Sequence, residues 1–345
     1  MRRRTVIGGL IGGGVGVFAL GAAGALGLRL WRKGPALPAA IAPLDEAAFA
    51  ALYAEPLAPP AGPMRVYHLG HSLVGRDMPA LLAQMAEAGQ GPGHAYESQL
   101  GWGTPLRAHW EHPRVEILGY EQDNAHPRFR PAREALASGD YDAVVLTEAV
   151  EIRDAIRWQA SAAYLARWAE AARAGNPDVR VYLYETWHQL DDKDGFLERV
   201  DADLPRYWEG ELLRGAAARP GGAPIWLIPA GQVLARAIRA AEAGEIPGVT
   251  RREDFFLKTP DGAQDQIHMS DLGAWLVATV HYAVLYQRSP EGLPAALLRA
   301  DGTPIEAPSP EAALALQRLV WEAAASDPRT GLMQAPQGGS GEPAL

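Results

Sequence analysis

No cysteine occurs anywhere in the 345 residues, which excludes disulfides, thiolate nucleophiles and cysteine-ligated zinc together. Many exported proteins need no bridges, so this absence leaves the compartment open. Acidic residues are missing from the first 33 positions, where six of the 32 Lys and Arg residues stand and none of the 41 Asp and Glu. The remainder therefore carries a net charge of −15 at pH 7 with histidine neutral. So acidic a body argues against a nucleic-acid backbone as the principal partner. No convincing internal repeat is visible, and the chain is not short of core material: 48% of it is hydrophobic, enough for one large α/β domain or two smaller ones.

Met1-Arg2-Arg3-Arg4 precedes a charge-free stretch from Thr5 to Leu28, long enough to cross a bilayer as a helix, although its many glycines make it only moderately hydrophobic. Arg3-Arg4-Thr5-Val6-Ile7 resembles the twin-arginine export motif, and Trp31 among Arg29, Arg32 and Lys33 resembles an interface anchor. Residues 1–33 are therefore expected to be an export signal or a retained membrane anchor. In the anchor case residues 5–28 would tether a periplasmic or otherwise extracytoplasmic domain to the inner membrane. Residues 34–64 form a Pro/Ala-rich lead-in with one short helix between Leu44 and Ala54, residues 65–332 the main domain, and residues 333–345 a flexible tail.

Within the main domain, strand-like apolar runs alternate with helical patterns. Val66–Gly70, His94–Leu100, Tyr141–Thr147, Val179–Tyr184 and Ile225–Ile228 read as strands. Helices are expected after Asp77, over Ala155–Ala174, around Leu204–Leu213, from about Gln232, after Ser270 and after Ser309-Pro310. This repetition predicts a mostly parallel five-stranded sheet covered on both faces, a three-layer αβα sandwich with its functional loops at the strand C-terminal ends.

Ser72 directly follows the first strand in Leu69-Gly70-His71-Ser72-Leu73. Alone it reads as an ordinary turn or cap. Asp265-Gln266-Ile267-His268, placed in a loop after the last strand and before a strong helix, supplies an imidazole that can take the serine proton and a carboxylate that can orient it. Asp123 and His126 share the same spacing but lie before the third strand. The paired blocks resemble the SGNH, or GDSL-like, hydrolase superfamily. The resemblance implies a flavodoxin-like αβα fold and ester hydrolysis through Ser72, His268 and Asp265, with Gly103 of Gly101-Trp102-Gly103-Thr104 as an oxyanion donor and Gly101 as the alternative. His71 stands where an acidic residue or asparagine is usual in that family. Where the family carries Gly-x-Asn-Asp after the third strand, this chain has Leu146-Thr147-Glu148-Ala149-Val150, so the asparagine donor is missing.

Glu148, Trp102, Trp187 and His188 are expected to border the cleft. The tryptophans would offer flat faces to a sugar. No cofactor is implied, and the histidine pairs His68/His71 and His109/His112, with His126, lack the acidic partners a metal site wants. The expected activity is that of a serine esterase acting on an ester-bearing carbohydrate, such as an O-acetylated one, or on another small ester. The alternatives are a noncatalytic glycan-binding or envelope protein that keeps the fold, and a lipid esterase or acyltransferase.

Overall fold

The central strands are largely apolar on both faces, and burial follows: Val66, Tyr67, Leu69 and every side chain from Ala143 to Leu146 are inaccessible to solvent. A strand covered on both sides belongs inside a parallel sheet. The computed structural model, which describes residues 37–38, 42–219 and 223–333, contains such a sheet. Its strands are β1 (Arg65–Leu69), β2 (Ala95–Gln99), β3 (Ala143–Thr147), β4 (Arg180–Glu185) and β5 (Trp226–Pro229), all parallel, in the order β2-β1-β3-β4-β5. Chain direction across the sheet reverses between β1 and β3, which opens a crevice beyond their C-terminal ends. The segment expected to be a signal or anchor, residues 1–33, lies outside the described residues, as does the tail from 334. Among the described residues no helix is long and apolar enough to cross a membrane.

The helices are α1 (Glu46–Ala51), α2 (Asp77–Gln90), α3 (Leu106–Glu111), α4 (Tyr120–Asp123), α5 (Ala132–Ser138), α6 (Ile152–Gln159), α7 (Ser161–Gly175), α8 (Phe196–Asp203), α9 (Arg214–Ala217), α10 (Ala230–Glu242), α11 (Asp271–Tyr286) and α12 (Pro310–Ala325). They pack in two groups, α2 with α10, α11 and α12, and α3 with α5, α7 and α9. Helix α11 begins where Ser270 caps it by accepting from the Gly273 amide. It buries Leu276, Val277, Val280 and Leu285, each contributing roughly 1.5–3 kcal/mol over exposure. The lead-in is stitched to this body: Phe49 and Tyr53 are buried, the Tyr53 hydroxyl donates to the Ile225 carbonyl at 2.8 Å, and the Leu57 amide donates to Gly331 O at 2.8 Å.

Two local expectations are corrected and one is refined. The single helix over 155–174 is two helices, α6 and α7, broken at Ala160, whose φ of 51° lies in the left-handed region. The break resets the helical phase, leaving Trp158 41% exposed while Leu165 and Trp168 are buried. The excursion at Leu204–Leu213 is helical as expected, in the form of a π-helix that continues α8 from Leu204 with Pro205 in its first turn. Asp265–His268 is not a loop but lies in a strand, β7 (Gln264–Met269), antiparallel to β6 (Phe256–Lys258). The turn between them, Thr259-Pro260-Asp261-Gly262, has Gly262 at φ 85° and closes through the Thr259 amide on Ala263 O at 2.8 Å. Pro-Asp-Gly is a turn sequence with a mechanism, and it is the signal that reveals this hairpin.

Gly70, at the end of β1, marks a close approach: a Cβ there would stand 2.8 Å from Thr147 Cβ and 2.8 Å from Val74 Cγ2. Gly70→Ala should therefore destabilise the protein by about 1–3 kcal/mol, read as a lower urea midpoint with an unchanged slope. An unchanged midpoint would show that β3 and the turn yield freely.

Candidate active site

The chain leaves β1 through a tight turn in which the amides of Val74 and Gly75 both donate to His71 O, at 2.9 and 3.1 Å, with Gly75 at φ 56°. Two histidines hold this turn. His109 Nε2–H donates to Gly70 O at 2.9 Å while its Nδ1 accepts from Gln99 Nε2 at 2.9 Å. His71 Nε2–H donates to Glu148 O at 2.9 Å. Carbonyl acceptors fix which nitrogen carries the proton. Burial keeps both rings neutral, pulling His71 down to about 4 and His109 to about 3. These histidines are structural clamps, not metal ligands.

The turn leaves Ser72 partly exposed, and the β6–β7 hairpin brings His268 to it. His268 Nε2 lies 3.1 Å from Ser72 Oγ, and His268 Nδ1 lies 3.0 Å from Asp265 Oδ2. The other carboxylate oxygen, Asp265 Oδ1, accepts from the Ile267 and His268 amides, both at 2.8 Å. Burial alone would raise the Asp265 pKa, but the two amides and the imidazole outweigh it and hold the carboxyl below its ordinary range. An ionised carboxylate only accepts, so Nδ1 carries the proton and Nε2 is left to accept from the serine hydroxyl. Behind the strand, the Trp187 indole N–H donates to Ile267 O at 2.8 Å and the Leu190 amide to Gln266 O at 2.6 Å.

Of the other expected residues, Gly103 stands past β2 with φ 55° and open space where a side chain would be. Gly101 is packed tight, since a Cβ there would meet Ile117 Cγ2 at 2.2 Å. Neither the Ser72 nor the Gly103 amide hydrogen-bonds within the described residues. Trp102 is 40% exposed and its indole donates to Asp123 Oδ1 at 3.1 Å.

Three expected cleft residues are buried instead. Trp187 and His188 are 1% and 3% exposed and present no face to a ligand. Glu148 is fully buried, with Oε1 accepting from the Ala149 amide at 2.8 Å and, at the start of α3, the Leu106 amide at 3.2 Å. Burial pushes its pKa up to about 7, against the pull of the Ala149 amide, the Ser161 hydroxyl and the Leu106 amide. Much of Glu148 is thus neutral near pH 7, and its role is to cap a helix. Asn124, the nearest substitute for the missing asparagine in residue type, is spent on Leu100, whose amide and carbonyl it grips at 2.9 and 2.8 Å.

A second charged cluster brings Glu151, His188 and Asp203 ligand atoms within 4.8 Å of one another. The Arg199 guanidinium fills the position a cation would take, reaching Glu151 Oε1 at 2.7 Å and Asp203 Oδ2 at 2.8 Å. His188 is held in its neutral form by burial first and by Arg199 second. The cluster braces the segment that carries Trp187 and Leu190.

Two residues bordering the site were not anticipated. Arg76 lines, with Ser72, Met78, His268, Met269 and Val277, a cleft of ≈ 130 Å³. Burial raises the Asp123 pKa, against the pull of the Trp102 indole and, after it, of the nearby Arg76 guanidinium. The Asp123/His126 spacing was visible, but nothing local in the sequence distinguishes it from a loop.

Asp265 and Glu148 predict opposite pH dependences. A depressed folded pKa stabilises above the unfolded value and loses that contribution as pH falls. The stability gap between wild type and Asp265→Asn should therefore be about 1–2 kcal/mol near neutrality and shrink below pH ~4. A raised folded pKa stabilises below the unfolded value and is lost as pH rises from the ordinary 4.5 through about 7, so Glu148→Gln should gain on wild type between pH ~4.5 and ~7 and keep that gain, without adding to it, above that. Urea titrations across pH check both, and parallel profiles would refute the assignments.

No family model matches the chain, and no curated protein matches it. Among solved structures, a DUF4886 family protein from Bacteroides uniformis is similar in fold, with a TM-score of 0.54 at 15% identity over 75% of this chain and 94% of that one. Weaker likenesses are to a candidate GDSL-like lipase from Parabacteroides merdae, with a TM-score of 0.39 at 12% identity over 65% and 96% of the two chains. The periplasmic domain of a lipopolysaccharide acetyltransferase from Salmonella ser. Paratyphi A gives 0.26 at 12% identity over 89% and 97%. At these identities the first likeness speaks to fold alone, and the other two are too slight to bear on function.

Proposed function

We propose that the protein is a serine-type ester hydrolase of the SGNH-like, flavodoxin-like αβα class, acting on small acyl esters such as O-acetyl groups on carbohydrate outside the cytoplasm. The observation that carries this reading is the unbroken row Asp265 Oδ2, His268 and Ser72 Oγ, with links of 3.0 and 3.1 Å. Such a row is the geometry that acyl transfer needs. Ser72 Oγ adds to the ester carbonyl carbon as its proton passes to His268 Nε2. The tetrahedral adduct then expels the alcohol, which takes that proton. Water next attacks the acyl-serine with His268 again as base, releasing the carboxylic acid and restoring the serine. The Ser72 and Gly103 amides, uncommitted elsewhere, are the candidate donors to the developing oxyanion. Burial leaves about half of Glu148 un-ionised near pH 7, which weakens the negative charge that would oppose it.

The cleft volume of ≈ 130 Å³ favours an acetyl-sized acyl group over a long lipid chain, because buried acyl carbons need apolar space along their length. This weighs against the lipid-esterase reading. One observation favours a noncatalytic, ligand-binding role: no asparagine side chain stands beyond β3, and the glutamate there is committed to α3. The oxyanion would then rest on backbone amides alone.

Hydrolysis of 4-nitrophenyl acetate by the purified body decides between these readings. Ser72→Ala and His268→Ala should each lower kcat/KM by about 10³-fold or more, 4-nitrophenyl palmitate should be a poor substrate, and a fluorophosphonate should label Ser72. Saturable polysaccharide binding with neither turnover nor labelling would establish the noncatalytic role instead.

A further inference from the structure

The Ser72 cleft contains a cation whose placement folding does not explain. Arg76 occupies the N-cap of α2, a 14-residue helix, and makes no side-chain capping bond there. A positive charge at a helix N-terminus opposes the macrodipole, and Ser, Thr, Asp or Asn would serve that position better. The side chain is exposed and, among the described residues, makes no hydrogen bond and no ion pair within 4.0 Å. Its neighbours are differently placed. Arg299 is paired with Asp271. Asp77 Oδ1 accepts from the Ala300 amide at 2.9 Å, and Asp123 Oδ1 accepts from the Trp102 indole. Asp265 is saturated by two amides and the imidazole. Every carboxylate near the cleft thus has its own donor, and the guanidinium lining it has no acceptor.

The turn that presents the nucleophile also presents this cation. Both Val74 and Gly75 amides return to His71 O, and the left-handed Gly75 swings Arg76 back to the wall that Ser72 shares. A residue that violates a local rule beside a reactive group, with only the longer-range attraction of Asp123 to offset it, is the pattern expected of a functional residue. The body is strongly acidic, so at long range it repels anions. Affinity for one would have to be local.

We propose that Arg76 is a specificity-determining residue that receives a carboxylate or phosphate on the ester substrate, so that the preferred substrates are small acyl esters of acidic molecules. This rests on the ester-hydrolase reading of the Ser72 site. A guanidinium offers two parallel N–H donors to either anion, and an Arg at the mouth of so small a cleft would hold the acidic part outside while the acyl group enters.

The test compares three acetyl esters with the same leaving-group framework: neutral methyl 4-acetoxybenzoate, 4-acetoxybenzoate and 4-acetoxyphenyl phosphate. Wild type should show a higher kcat/KM for at least one anionic ester than for the neutral one, and Arg76→Gln should lower that ratio by about 10–100-fold. Arg76→Lys should restore part of it, and added salt should erode it. Whichever anion loses more identifies the preferred group. Calorimetric titration of 4-acetoxybenzoate and 4-acetoxyphenyl phosphate into Ser72→Ala and into the Ser72→Ala/Arg76→Gln double variant reads the same contact without turnover; Kd should rise about tenfold or more with loss of the arginine. Ser72-dependent hydrolysis with a ratio unmoved by Arg76→Gln would overturn the proposal and leave the hydrolase reading standing. Absence of hydrolysis of all three esters would overturn the hydrolase reading, and the titration would then decide Arg76 alone: equal Kd values refute its role.

Discussion

Two neutral imidazoles clamp the turn that carries Ser72, and the geometry of the site depends on them. His109 holds the Gly70 carbonyl from the β2 side, and His71 ties the turn to the Glu148 carbonyl on the β3 side. The crevice between β1 and β3 is where a doubly wound sheet leaves room for a ligand. It is also where a loop would be free to move. Bridging it with rings that burial keeps uncharged gives the serine a fixed backbone without placing another charge beside the His268 imidazole. The opposite wall is held in the same manner, by hydrogen bonds from Trp187 and Leu190 to the strand that carries Asp265 and His268.

The sheet was readable because β1, β3, β4 and β5 are short, largely apolar runs, and because α11 and α12, which come after the last of them, carry their caps, Ser270 and Ser309, in sequence. The Ser72 block was legible as a turn because it directly follows β1, whereas the Asp265/His268 block, expected in a loop, lies within the β6–β7 hairpin. What could not be read was direction. Trp187 and Glu148 stand just beyond strand ends, where side chains reach a cleft or the core with equal ease. Here the indole found a carbonyl and the carboxyl found a helix start. His71 and His109 looked like half of a metal site only because their carbonyl partners are distant in sequence, 77 and 39 residues away. Arg76 left the opposite trace, a residue that helix capping does not predict, and such disagreements between local preference and position are where function is concentrated.

Asp203, Glu151, Asp192 and Arg199 illustrate how an acidic body tolerates its charge. The Arg199 side chain is 4% exposed and binds all three carboxylates. Removing one partner from a buried network leaves an uncompensated charge and costs more than the pair contributes. The cluster is therefore a brace for the wall behind β7, built from the residue types that elsewhere make metal sites.

Glu148 has a counterpart. Glu185, at the end of β4, is equally buried, accepts from the Gln232 amide at 3.1 Å in the first turn of α10, and is pushed up to about 8 by burial. Two strand ends thus carry largely un-ionised carboxyls that ionise once the chain unfolds, while His71 and His109 are neutral when folded and protonate in the open chain at mildly acidic pH. Unfolding therefore exchanges protons in opposite directions within overlapping windows, so that below pH 6.5 the histidine uptake offsets the glutamate release, and near neutrality the release is left uncompensated. The heat of denaturation accordingly carries a contribution from the ionisation heat of the buffer that is largest near neutrality and small in mild acid.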